Sequence, residues 1–170
     1  DALALWATFM DSLPGLRSEC LTDDRATGDT IRAALQETLG SAGPEDTVII
    51  TYSGHGSPDH RLIPYDTRLD ALERTAIPMS ELAGLFATTR ARAVLCVLDC
   101  CYSGGAPAKV LPNVPVPRAV FDTVRVLEGD GRFILAAANV NEPAWEIDGH
   151  GILTRALLQV LSEGTEPINL

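Results

Sequence analysis

Residues 94–105 read VLCVLDCCYSGG. Val94 to Leu98 form an apolar run without the polar alternation of a half-exposed strand, the pattern of a strand covered on both faces. The run ends on Asp99, two adjacent thiols (Cys100, Cys101) and a turn made soft by Gly104 and Gly105. TVIITY (47–52) repeats the pattern and delivers the segment SGHG at its end, and RFILAAAN (132–139) is a third such strand. Helical periodicities lie between these runs, so the chain reads as an α/β fold with a mostly parallel central sheet and right-handed crossovers. In such sheets the functional crevice lies beyond the carboxyl ends of the strands, and SGHG and DCCYSGG both fall at that edge.

Working outward, Leu5, Trp6, Phe9, Met10 and Leu13 recur at helical spacing, and Pro14 and Gly15 stop that helix. Thr27 caps a second helix with Ile31, Ala34, Leu35 and Leu39 inward, closing at Gly40. SPDHRLIPYDTRLD (57–70) is turn-rich and reads as a hairpin or a loop. Ser80 to Thr88 is a short helix with Leu82, Leu85 and Phe86 inward. Ile152 to Leu161 is a final amphipathic helix with Ala156, Leu157, Val160 and Leu161 on one side. Residues 104–118 carry four prolines and read as an irregular, exposed loop.

The 170 residues suit one domain, 1–170, with a core that needs no disulfide or metal staple. Because the chain begins in mid-helix at DALALWATFM, it reads as excised from a longer protein. Thirteen basic against 23 acidic residues give a net charge of −10, which repels a nucleic-acid backbone and favours cationic partners. No stretch is long and apolar enough to span a bilayer. Cys96, Cys100 and Cys101 crowd one strand where disulfide geometry is poor, so the cysteines point to a reducing cytoplasm. Twelve arginines against the single Lys109, with abundant alanine, suggest a GC-rich bacterial genome.

A cysteine thiol with a pKa of about 8.5 yields little thiolate at neutral pH unless a basic neighbour or a helix dipole helps ionise it. Adjacent parallel strands would bring His55 to the rim that carries Cys101, and its imidazole can take the thiol proton and later protonate a leaving amine. Gly54 and Gly56 let the backbone beside His55 approach a substrate closely. The amides of Gly56 and Cys101 are candidates for an oxyanion hole. Cys96, Cys20 and Cys100 read as small core hydrophobes, because strand alternation points Cys100 away from Cys101. His60 and His150 read as surface hydrogen-bonding groups, and Asp66, Asp70 and Asp148 as solvated loop acids. Rival chemistries fail on named residues. The arginine of a tyrosine-phosphatase loop is replaced by Pro107 or Ala106, GGAPAK lacks the phosphate-cradle pattern, and no CxxC spacing marks zinc.

YSGHG followed by DCCYSGG resembles the caspase-like cysteine peptidases, in particular the metacaspase branch with its SGHG and DxCxSG motifs. TDDRAT (22–27), LIPYD (62–66), ILAAAN (134–139) and HGILTRALL (150–158) extend the similarity over nearly the whole chain. The resemblance implies a caspase-like three-layer sandwich with helices on both sides of the sheet, and a His55–Cys101 dyad. It also implies a pocket for the residue before the scissile bond lined by Asp99, Ser53 and Asp1. Such an anionic pocket selects Arg or Lys and rejects acidic side chains, unlike that of animal caspases, which carry Gln at the position of Asp99. The 104–118 loop corresponds to a segment that relatives often clip, which makes Lys109 and Arg118 candidate self-cleavage sites. Asn141, Glu142 and Trp145 fall in a loop that borders the substrate cleft in the family. No organic cofactor or resident metal is expected, although calcium activation is known in the branch. Sensor or effector domains or proteins, including those of antiphage defence, are the partners implied. Two departures stand out: the family's first strand, ahead of the opening helix, is absent, and Tyr102 replaces a histidine common after the nucleophile. The alternative reading is a catalytically silent caspase-like scaffold or recognition module.

Overall fold

The computed structural model describes residues 1–57, 59–100, 131–137, 146–147 and 150–163. Along the chain these form α1 (Ala2–Ser12), α2 (Gly28–Ser41), β1 (Thr47–Gly56), β2 (Arg61–Ile63), α3 (Leu72–Thr75), β3 (Ile77–Pro78), α4 (Met79–Thr88), β4 (Ala93–Cys100), β5 (Arg132–Ala136), β6 (Glu146–Ile147), β7 (His150–Gly151) and α5 (Ile152–Glu163). Five strands make one sheet in the order β3-β2-β1-β4-β5, and β6 and β7 form a separate antiparallel pair.

The three apolar strands are parallel, as their patterning requires: β1 pairs with β4, and β4 with β5. The expectation that the third is covered on both faces is corrected, since β5 ends the strand order and leaves Phe133 and Leu135 exposed. The sheet is nevertheless mixed, because β2 runs antiparallel to β1 and β3 antiparallel to β2. Four residues separate β1 from β2, too few for a parallel crossover, so the chain can only reverse on itself. SGHG accordingly lies within β1, extending the strand beyond the expected Tyr52, with His55 opposite Ile63 and Gly56 opposite Leu62.

Helices flank both faces. Side chains alternate along a strand, so Val48, Ile50 and Tyr52 of β1 share a face with Val94, Cys96, Leu98 and Cys100 of β4. That face packs with Leu39 of α2 and with Leu82 and Phe86 of α4 to form the main core. Arg32 of α2 ties the two helices of this layer together through Glu81 of α4 (2.9 Å) and the Ala76 carbonyl (3.2 Å). On the opposite face α1 packs against β1 and α5, and α5 reaches β4. The apolar stripe of α1 turns Leu5 fully inward and leaves Trp6 and Met10 exposed.

Helix ends follow the local chemistry. The Thr27 hydroxyl accepts the Thr30 amide and caps α2, as its position predicts. Asp66, expected to be merely solvated, accepts the Gly28 amide at 2.8 Å and secures the loop after β2 to the same helix start. The expected inner face of α5 is corrected: Val160 and Ala156 are exposed, while Thr154 is fully buried with Leu153, Leu157, Leu158 and Leu161 half-buried around it. A polar residue leads this stripe because it is bonded from inside the protein.

Candidate active site

The carboxyl-terminal rim of β1 and β4 carries most of the described candidates. In the parallel register Ser53 lies beside Asp99 and Gly54 beside Cys100. His55 follows at once, exposed at the edge of the sheet, and Gly56 behind it is buried. Cys101, Lys109, Arg118, Asn141, Glu142, Trp145 and Asp148 lie outside the described residues.

The backbone of His55 is held by Tyr52. The Tyr52 hydroxyl accepts the Ile63 amide at 3.0 Å and lies within donating distance of two carbonyls, His55 (2.9 Å) and Ile63 (3.0 Å). It bridges β1 and β2 where those residues face each other. Burial pushes the phenol pKa upward, overriding the opposing hydrogen bond with Ile63. A Cβ on Gly54 would meet this hydroxyl at 3.0 Å. The glycine therefore leaves room for the tyrosine, a role different from the substrate approach expected of it.

The carboxylates gather around the start of α5. Asp99 is only 7% exposed, and its Oδ2 accepts both the Thr154 amide (2.8 Å) and the Thr154 hydroxyl (2.5 Å). Asp1, at the amino end of α1, accepts the Gly151 amide at 3.2 Å through Oδ2 and contacts His150 Nδ1 at 2.6 Å through Oδ1. The structure thus brings Asp1 and Asp99 to one helix end, where peptide dipoles favour negative charge. Ser53 Oγ is buried and has no hydrogen-bond partner among the described residues.

His150 is a part-exposed hydrogen-bonding group as expected, with the Asp1 carboxylate as its partner. His60, in the turn between β1 and β2, departs from expectation: it is buried at 4% exposure, not on the surface, and its backbone is left-handed (φ 57°). Burial lowers its pKa, with Asp59 opposing. Cys96 and Cys100 sit in the main core, and burial, with Cys100 second, pushes the Cys96 thiol up to about 12. Cys20 is half-buried and unpaired by disulfide. Asp70 is an exposed acid paired with exposed Arg68.

Thr154, Gly151 and Tyr52 are the residues that sequence reasoning passed over. Tyr52 and the HGILT stretch lay inside the motifs that carry the resemblance, yet nothing local said what either would touch. Among the described residues no group of three or more His, Cys, Asp or Glu converges as metal ligands, and no helix is long and apolar enough to cross a membrane.

A mixed sheet between two helical layers is a three-layer α/β sandwich of caspase-like design. The family model described as the caspase domain matches residues 1–169, and the chain belongs to that family of cysteine peptidases. No curated protein matches the chain.

Proposed function

We propose that this protein is a cysteine endopeptidase that cleaves after Arg or Lys, of the metacaspase-like bacterial branch. The observation that supports the reading is the pairing of Ser53 with Asp99, which sets a residue with a buried hydroxyl next to a recessed acid on the strand that leads, two residues later, to His55. Cys101 is one peptide bond from Cys100, whose Cα pairs with that of Gly54, the neighbour of His55.

In this reading His55 takes the proton of the Cys101 thiol, and the thiolate attacks the scissile carbonyl carbon. The Gly56 and Cys101 amides donate to the oxyanion. As the C–N bond breaks, His55 returns the proton to the leaving amine and a thioester remains. Water then attacks the thioester while His55 accepts its proton, and the proton passes to sulfur as the carboxylic acid leaves. Asp99, Ser53 and Asp1 bind the guanidinium or ammonium of the residue before the cut through charge-assisted hydrogen bonds. The protein acts in the cytoplasm with sensor or effector partners and cuts itself after Lys109 or Arg118. No step requires a cofactor, and assays with added calcium or chelator read out calcium activation.

Fluorogenic peptides differing only in the residue before the cut test this reading. Turnover is expected with Arg and Lys and not with Asp, and it is lost in Cys101→Ala and His55→Ala. An arginyl chloromethylketone should label Cys101 in wild type and not in His55→Ala. A folded full-length protein that is inert to basic-residue substrates and takes up no label is instead the silent scaffold.

A further inference from the structure

We infer that Thr154 is the positioning residue that prepares Asp99 to receive a basic side chain; this rests on the selectivity proposed above. Asp99 ends β4, while Thr154 stands one turn into α5, 55 positions later in the chain. Both donors of Thr154 that can reach a neighbour, its amide and its hydroxyl, go to the same carboxylate oxygen, Oδ2. Two donors on one oxygen fix the rotation of the carboxylate. No described residue donates to Oδ1, so that oxygen is left for a ligand. Thr154 is fully buried, and its hydroxyl has no role toward solvent.

Gly151 supplies the clearance. A Cβ built there would fall inside the Asp99 carboxylate, so the chain can pass under Asp99 only without a side chain. The Gly151 amide meanwhile holds Asp1. β7 and the first turn of α5 that follows it therefore grip both acids, and the aligned peptide dipoles of the helix offset their mutual repulsion before any cation arrives. The recess is thus ready charged and oriented in the free enzyme. Preorganisation of this kind strengthens the binding of a matching group.

Thr154→Val tests the inference, since it keeps shape and amide and removes only the hydroxyl donor. The assay compares full-length wild type, Thr154→Val, Thr154→Ser and Gly151→Ala on peptides with Arg or its uncharged isostere citrulline before the cut. The preference of wild type for Arg should fall about tenfold in Thr154→Val, mainly through KM, and Thr154→Ser should restore it to within about twofold. Gly151→Ala, which displaces the same carboxylate, should lose the preference as well and serves if Thr154→Val does not fold. A Thr154→Val enzyme that slows both substrates equally and keeps its preference marks Thr154 as merely structural and overturns the inference alone. A wild type that does not distinguish Arg from citrulline overturns the selectivity reading, and the inference falls with it.

Discussion

Removing one oxygen from Tyr52 should loosen the strand end that carries His55. The hydroxyl accepts the Ile63 amide and donates to one of two carbonyls at a time, so Tyr52→Phe deletes two hydrogen bonds. At about 1 kcal/mol net each, with an added cost where the half-buried Ile63 amide finds no new partner, the loss comes to about 2–3 kcal/mol. For a chain of 170 residues this lowers Tm by roughly 4–12 °C. Calorimetry checks it, with Tyr65→Phe as control, because Tyr65 is 67% exposed and should shift Tm very little. Alkaline titration followed at the phenolate absorbance adds an independent readout. Burial raises the Tyr52 pKa above the ordinary value, so one phenol should ionise late and that late phase should vanish in Tyr52→Phe. If Tyr52→Phe melts with Tyr65→Phe, the bridge between β1 and β2 contributes nothing and the account of how His55 is held fails.

Two further predictions address groups that the proposed chemistry leaves aside. Burial depresses the His60 pKa below its usual value of about 6.5, so the unfolded chain binds a proton that the folded chain refuses, and stability should decline as pH falls below that value. His60→Asn, which tolerates the left-handed backbone, should flatten urea-measured stability between pH 7 and 5, and an unchanged slope would count against it. Asp59 does not confuse that window: burial alone would raise its pKa, but hydrogen bonds from Ser57 and Arg61 hold it below the usual range, so its stabilisation is lost only in more acidic solution. Iodoacetamide at pH 7 should modify Cys101 rapidly and the half-buried Cys20 slowly, and reach Cys96 and Cys100 only after unfolding. Peptide mapping by mass spectrometry that found Cys96 modified in the native protein would refute its place in the core.

Much of the architecture was legible because apolar strands advertise themselves, although the third, β5, leaves Phe133 and Leu135 exposed. Uninterrupted apolar runs at 47–52, 93–99 and 132–139 marked the three parallel strands, and the Thr27 cap marked the start of α2 through a contact three residues away. The stretch 57–70 stood open between two readings, since its one strand, β2, is only three residues long and finds its partners outside the stretch, with Leu62 opposite both Gly56 and Ile77. The inner face of α5 was misjudged because hydrophobicity ranks Val160 above Thr154, while in the structure a carboxylate from another strand makes the threonine the better buried of the two. His60 was misjudged because the packing of the turn between β1 and β2 buries it, and residue type alone does not announce that.

The order of residues by itself determined the strands, their parallel preference and the rim to which SGHG and DCCYSGG belong, because periodicity, β-branching and turn chemistry act over a few neighbours. Which polar groups meet at that rim was decided by the tertiary structure alone. Asp1, Asp99, Gly151 and Thr154 come from both ends and the middle of the chain, and hydrogen bonds of about 3 Å depend on the packing of α1 and α5 over one face of the sheet.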